Sequence, residues 1–386
     1  MIETPTPLAQ AIEAELASER VPLGREIAAL AELHRLFTTG RSDLAGLSYL
    51  DVPRLRRAYL RYYAPLNAAR AACALESLRA LGADLAAFST IVDLGAGPGS
   101  ATAAALLAEP EAAPERIVLY DRSRAALRLA ARILPALAPR AGGPPRIAEL
   151  VLRAGRIPSA LPRFPGRTLL WVSTVLNELR VGLRRGPDPE GFLEVLGAAL
   201  EPGSLAIFVE PALRVPARNL LRLHDAAVRA GGWTVLAPCT HQAPCPLLRE
   251  RDRPWCHFRF AWRPPQFARE VAEPLSLDWT KAFLSFLALR RGPPEAPGAR
   301  GGPAEAARTR GGPRSARAIG DPMAVRGGKR GIYICEGGRR LTLAEAPRGS
   351  GRGDIIERGA RGEARVRVPW RCRRRGEGLE PQSPSA

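Results

Sequence analysis

The sequence predicts an α/β protein: a doubly wound, mostly parallel seven-stranded sheet, preceded by a helical region and followed by a small cysteine-containing β module. Three observations carry this expectation. From residue 90 onward, short apolar runs alternate with amphipathic stretches, the pattern of strand–helix units that build a parallel sheet. The first of these runs opens into a glycine-rich turn, "IVDLGAGPGSA", and then a helix. The 386-residue chain is 46% hydrophobic, enough to bury a sizeable core and to hold more than one unit.

Residues 1–85 read as helices. "LGREIAALAELHRLFTTG" spaces its apolar residues by three and four, and "DVPRLRRAYLRYYAPLNAARAACALESLRAL" continues the pattern, with Asp51 as N-cap and Pro53 in the first turn. Arg54, Arg56, Arg57, Arg61, Tyr62 and Tyr63 cluster here, as an RNA-facing patch or as a solvated face over buried tyrosines. Cys73, in an Ala-rich helix, reads as core.

Residues 86–290 form the α/β unit. "STIVDLGAG", "RIVLYDRS", "RIAELVLR", "RTLLWVSTV" and "GSLAIFVEP" read as the first five strands, and "WTVLAP" and "HFRFAWR" as the sixth and seventh. Helices fall between them at "SATAAALLAE", "SRAALRLAARILPALA", "PEGFLEVLGAALE" and "ARNLLRLHDAAVRAG". Residues 291–328 are rich in Pro, Gly and Arg and poor in large apolar residues, so they read as a disordered, low-complexity insertion. Residues 329–347, with "KRGIYICEGGRRLTLAEA", read as a short β module, and 348–386 as a basic, disordered tail.

The net charge is +19, and only two of the 57 basic residues are lysine. Such a surplus attracts polyanions, and the planar guanidinium suits phosphate, so RNA is the expected partner and a solvated, compositionally biased surface the alternative. Residues 291–386 carry 21 Lys/Arg against 10 Asp/Glu, more than half of the excess. No apolar run reaches the length of a membrane span, so no membrane partner is expected. The acidic N-terminus lacks a targeting pattern, which leads to an expectation of a cytoplasmic setting. A bacterial source and a monomer are further expectations, though nothing in the sequence decides the oligomeric state. In a reducing compartment clustered thiols bind metal or do chemistry rather than form disulfides.

The glycine turn places Asp93, Gly95, Gly97 and Gly99 between a strand and a helix. Glycines let a ligand approach the backbone, and the helix that follows offers free N–H groups to an anion. Asp121 ends the next strand, where a carboxylate accepts hydrogen bonds from ribose hydroxyls. The G-x-G-x-G spacing, with Asp93 before it, resembles the first motif of class I S-adenosylmethionine-dependent methyltransferases. A dinucleotide site and a ligand-free turn are the alternatives. Asn177, with Glu178, follows the fourth strand in "WVSTVLNELR" and lines the site or caps a helix. That segment lacks the Asn/Asp-Pro-Pro-aromatic sequence of exocyclic-amine methylation, and the Pro-Cys pairs at 238–239 and 244–245 fall too late for a cytosine-C5 nucleophile. No catalytic base or nucleophile is identified.

Cys239, Cys245 and Cys256 crowd into "APCTHQAPCPLLRERDRPWCHF", with Cys335 following in "GIYICEGG". C-x5-C-x10-C is not a zinc-finger pair, but soft thiolates select zinc or an iron–sulfur cluster, and spacing alone leaves both open. His241 and His257 are alternative ligands that favour zinc. Cys372, in the polar tail, is a poorer candidate.

"RYYAPLN", "DLGAGPGSATAAAL", "VLNEL", "PCTHQAPCPL", "WCHF", "DWTKAFLSFL" and "GKRGIYICEG" occur in that order. Together they resemble the Rsm-twenty-two (Rsm22) family, whose mitochondrial members are called methyltransferase-like protein seventeen, over about residues 50–290 and 327–345. The resemblance implies a class I methyltransferase fold that binds S-adenosylmethionine. It also implies association with the RNA and proteins of the small ribosomal subunit during assembly. By the same resemblance Cys239, Cys245, Cys256 and Cys335 ligate a [4Fe-4S] cluster, which raises iron–sulfur above zinc. The expected function is a methyltransferase-like protein that methylates small-subunit rRNA or supports subunit assembly, and so translation. The alternative is a non-catalytic rRNA-binding assembly factor with a structural iron–sulfur or zinc site.

Overall fold

In the computed structural model, residues 1–39, 48–85, 88–109, 114–137, 147, 149–157, 159–176, 188–249, 255–278, 281–293, 314–325, 329–336, 341–358, 364–368 and 370 are described. The N-terminal region is helical: α1 (Thr6–Ala17), α2 (Leu23–Thr38), α3 (Pro53–Ala58), a π-helical turn (Tyr59–Tyr63) and α4 (Ala64–Arg79). Its charges are mostly spent internally. Glu26, 4% exposed, accepts from Arg57 Nε and from Arg61 Nη1, both at 2.5 Å. Arg61 also donates to Glu270 (2.7 Å) and to the Phe267 carbonyl (2.8 Å), and Arg56 to the Leu50 carbonyl (3.0 Å). Tyr62 and Tyr63 are buried. Of the two readings of these positions, the buried tyrosines hold, while Arg57 and Arg61 are paired within the protein and form neither an open RNA-facing patch nor a solvated face. A buried carboxylate must be paired, and α2 supplies one beneath the arginines. Of the set only Arg54 stays at the surface, paired with Glu32. Asp51 is not the N-cap of α3 either, since Val52 takes that place.

The central sheet contains β1 (Thr90–Leu94), β2 (Arg116–Asp121), β3 (Glu149–Ala154), β4 (Thr168–Ser173), β5 (Leu205–Glu210), β6 (Trp233–Ala237), β7 (Phe258–Phe260) and β8 (Ala282–Arg291). The order is β3-β2-β1-β4-β5-β8-β6, with β7 paired onto β8. β1 to β5 run parallel, and β8 is antiparallel to both β5 and β6. Alternate strand residues face two layers. Ile91, Leu169, Trp171, Ile207 and Val209 pack with the N-terminal helices, α5 (Ser100–Ala108) and α6 (Arg124–Ala136). Val92, Leu170, Val172 and Phe208 pack with α7 (Pro189–Ala199) and α8 (Arg214–Ala230). Both faces are covered, which is why these strands are nearly all apolar.

The structure departs from the expected seven strands, since eight are present among the described residues. "HFRFAWR" is not the seventh. Only Phe258–Phe260 pairs in this sheet, while Trp262–Arg263 pairs in parallel with Ile2–Glu3. The antiparallel strand is instead "AFLSFLALRR", whose ten-residue, mainly apolar run suits a position buried between two neighbours.

Beyond residue 313, β9 (Arg314–Ala318), β10 (Met323–Ala324), β11 (Arg330–Cys335), β12 (Leu341–Glu345), β13 (Ile355–Arg358) and β14 (Ala364–Val368) make a second, antiparallel sheet. Its order is β10-β11-β9-β13-β14, with β12 on β11. Strands thus lie in both segments expected to lack structure. Apolar residues are sparse there but alternate, so Ala316, Ala318, Ile332, Ile334 and Ile356 share one buried face. Residues 294–313 and 371–386, Cys372 among them, lie outside the described residues. Trp370 fastens this sheet to the first unit: its ring lies 5.0 Å from Phe258 and 6.2 Å from Phe286, and its Nε1 donates to the Arg259 carbonyl at 2.8 Å. Among the described residues no helix is long and apolar enough to cross a membrane.

Candidate cofactor loop and cysteine pocket

The strand order reverses direction between β1 and β4, and the glycine turn sits at that switch point, where open α/β sheets bind ligands. Gly95, at φ +79°, turns the chain sharply, so that its N–H and that of Ala96 both donate to the Tyr120 carbonyl, at 2.7 and 2.9 Å. A Cβ on Gly95 would stand 2.6 Å from Val175 Cγ2. Gly99, at φ +81°, is the N-cap of α5. Asp121 braces the loop: its carboxylate accepts from the Gly97 N–H (2.8 Å) and from the Ser123 N–H (2.7 Å). The residues expected to hold cofactor by sequence, Asp93, Gly95, Gly97, Gly99 and Asp121, therefore meet at one end of the sheet. Asn177, with Glu178, lies outside the described residues.

Asp93 is 1% exposed. One carboxylate oxygen accepts from Thr102 Oγ1 at 2.8 Å, and the other is buried without a partner. Burial pushes its pKa up to about 7. Because the folded state favours the protonated form, the contribution of Asp93 to stability is complete below the ordinary carboxylate range and is lost as pH rises through about 7. Asp93→Asn removes that titration. Urea unfolding at pH 5 and pH 8 should show a smaller loss toward pH 8 in the variant than in the parent, and equal losses would place the titration elsewhere.

Several residues of this site carry no signal in the sequence. The 3-10 turn Tyr49–Asp51 lies over the loop, with Leu50 Cδ1 3.6 Å from where a Gly97 Cβ would be. Asp51 accepts from Ser123 Oγ and from Ser48 Oγ, both at 2.6 Å. Opposite, Thr174 takes φ +58° just past β4 and donates its N–H to the Val209 carbonyl at 2.7 Å. The Leu176 N–H donates to the buried Glu210 at 2.9 Å. A non-glycine residue in the left-handed region marks a backbone that its surroundings over-determine, and here it presses Val175 against Gly95.

The second site is a cavity of about 20 Å³ lined by Cys239, Cys245, Cys256, Cys335, Arg317 and His224, among others. Cys239 follows β6, Cys245 precedes a 3-10 turn (Pro246–Leu248), Cys256 precedes β7, and Cys335 ends β11. The four cysteines proposed as ligands thus share one cavity, though 96 residues separate the first from the last. Burial raises the Cys239 and Cys245 thiols well above their usual range and Cys256 to about 12. Such thiols are protonated at neutral pH and are poor nucleophiles, and a metal must displace their protons. Among the described residues, no three His, Cys, Asp or Glu side chains stand in an arrangement that holds one metal ion. A single tetrahedral ion, with metal–sulfur bonds of about 2.3 Å, would draw the thiolates close together.

Neither expected histidine lines the cavity. His257 Nε2 is 2.9 Å from Arg352 Nη1, and its Nδ1 is 3.0 Å from the Trp255 carbonyl. His241 Nε2 is 3.4 Å from Cys335 Sγ, with its pKa lowered to about 4 by burial and by His224, so the ring is neutral. Thr240 Oγ1 donates to the Ser315 carbonyl (3.0 Å) and Arg317 Nε to the Pro238 carbonyl (2.7 Å), so β9 lies along the cysteine segment.

Residues 57–345 match the family described as "mitochondrial small ribosomal subunit Rsm22". The chain belongs to the Rsm22 family. The Rsm22 match takes in the glycine loop and all four pocket cysteines, and it ends with β12. No curated protein matches the chain. Among solved structures, it is similar to a candidate RNA methyltransferase from Pyrococcus horikoshii at 12% identity, over 58% of this chain and 83% of that one, with a TM-score of 0.33. A precorrin-6y C5,15-methyltransferase from Geobacter metallireducens is similar at 13% identity, over 56% and 87%, with a TM-score of 0.31. An S-adenosylmethionine-dependent methyltransferase from Mesorhizobium loti is similar at 18% identity, over 57% and 98%, with a TM-score of 0.30.

Proposed function

We propose that this Rsm22-family chain binds S-adenosylmethionine at the glycine loop and acts on the small ribosomal subunit of a bacterial cytoplasm. There it methylates subunit RNA or supports subunit assembly. The observation that carries the reading is the loop itself: backbone free of side chains at the switch point, braced by Asp121 and followed by the N-terminus of α5. When bound, S-adenosylmethionine supplies an electrophilic methyl group. Gly95 makes room for Val175 and so allows the tight turn, Gly97 leaves the backbone bare, and Leu50 and Asp51 close over the loop from the N-terminal region. The family description supports the small subunit as partner, and the net charge of +19 supports RNA contact.

In the same reading Cys239, Cys245, Cys256 and Cys335 hold a [4Fe-4S] cluster, with zinc as the alternative occupant. What supports this reading is the chemistry of the lining: four cysteines, Cys245 and Cys335 buried and Cys239 and Cys256 partly so, border one cavity beside a buried guanidinium. The cluster ties the segment after β6 to the C-terminal sheet.

A second reading, a non-catalytic assembly factor, is favoured by "WVSTVLNELR" at the end of β4, which lacks the aminomethylating sequence. Crosslinking followed by RNA sequencing, together with small-subunit RNA methylation compared with and without the gene, separates the two. Crosslinks to small-subunit RNA plus a methyl mark that returns only with an intact loop support catalysis. Crosslinks without a lost mark support assembly alone, and an absence of small-subunit crosslinks overturns both.

A further inference from the structure

The wall of the cysteine cavity carries two buried polar atoms without a hydrogen-bond partner among the described residues, Arg317 Nη2 and His224 Nε2. Arg317 is 4% exposed. Its Nε donates to the Pro238 carbonyl at 2.7 Å and its Nη1 to the Gly353 carbonyl at 2.6 Å, which fixes the plane of the guanidinium and leaves Nη2 over. Arg317 lines the same cavity as Cys239, Cys245, Cys256 and Cys335. No carboxylate pairs with Arg317 among the described residues. A guanidinium buried without an anion is unfavourable, as is a buried donor left unmade, so the arrangement is incomplete as it stands. Cysteines deprotonated on binding the proposed thiolate-held group would supply the missing negative charge.

We propose that Arg317 is the counter-charge and hydrogen-bond donor of the thiolate-held group in this cavity, a positioning residue delivered by β9 of the C-terminal sheet. The inference rests on the metal reading above but concerns a residue outside the ligand set. It follows that filling the cavity and docking the C-terminal sheet are coupled. The occupant neutralises Arg317, and Arg317 holds β9 against Pro238. Outer partners of this kind commonly alter metal affinity about 10- to 100-fold when removed.

The test uses full-length protein purified anaerobically, as the parent, Arg317→Met and Arg317→Lys. Each is measured loaded and after chelation for thermal unfolding, iron and sulfide content, visible absorption and the rate of iron loss to a chelator. In Arg317→Met, iron loss should quicken about tenfold and the stabilisation gained on loading should shrink, while the chelated protein unfolds no lower than the chelated parent. Arg317→Lys keeps the charge without the fork and should fall between, which serves if the methionine variant folds poorly. Equal destabilisation of the loaded and chelated forms with unchanged iron loss would reduce Arg317 to a backbone brace and overturn the inference alone. A parent protein that holds neither iron nor zinc would overturn the metal reading, and the inference with it.

Discussion

Gly95→Ala should cost about 3 kcal/mol of stability and abolish S-adenosylmethionine binding. At φ +79° an L-residue pays about 1–2 kcal/mol for the left-handed conformation. The added methyl would also meet Val175 Cγ2 at 2.6 Å and Val175 Cβ at 2.8 Å, an overpacking worth about 1–3 kcal/mol. Val175 has little room to yield. Thr174 before it is held by the Val209 carbonyl, and Leu176 after it by Glu210. Gly97→Ala is the contrast: its methyl would meet only Leu50 Cδ1, at an ordinary 3.6 Å, so only the cost of the backbone conformation remains. Urea denaturation of the two variants checks this. A Gly95→Ala loss no larger than that of Gly97→Ala would mean that Val175 gives way.

On the proposed cluster reading, Cys335→Ser should abolish metal binding by the pocket and cost the loaded protein about 4 kcal/mol, because loss of a metal is among the few changes of that size. The loss should fall on the C-terminal sheet first, since Cys335 ends β11 while its three partners stand on the first unit. Iron and sulfide analysis beside chemical denaturation reads both effects, with about four of each per chain expected in the parent. Cys73→Ala is the control: Cys73 is fully buried in the helical core and should leave the metal content unchanged. Zinc without sulfide in the parent would replace the cluster with an ion. Full metal in Cys335→Ser would remove Cys335 from the ligand set.

What was legible in the sequence was local. Strands β1, β2, β4, β5 and β6 announce themselves as apolar runs because both faces of the sheet are covered there, and the glycine loop and the three clustered cysteines are read from short stretches of sequence. What was not legible depended on partners far along the chain. Arg57 and Arg61 look like a surface patch until Glu26, 31 and 35 residues away, is seen beneath them. "HFRFAWR" reads as the seventh strand, whereas position in the sheet favours the longer run at 282–291. The C-terminal sheet is hidden by composition: six small or branched apolar residues are enough for one buried face, but an average over Gly, Pro and Arg conceals them. Arg317 is hidden for the same reason, as one arginine among many in a segment whose composition reads as structureless. Thr174, Asp51 and Ser123 belong to types common everywhere, and only the backbone dihedral and the hydrogen bonds single them out.

The glycine loop is the feature on which the functional reading depends most, and calorimetric titration of S-adenosylmethionine into the intact, full-length protein addresses it directly. One-to-one binding, lost in Gly97→Arg, is the expected result. The absence of binding by the intact protein would contradict a methyltransferase-like cofactor site.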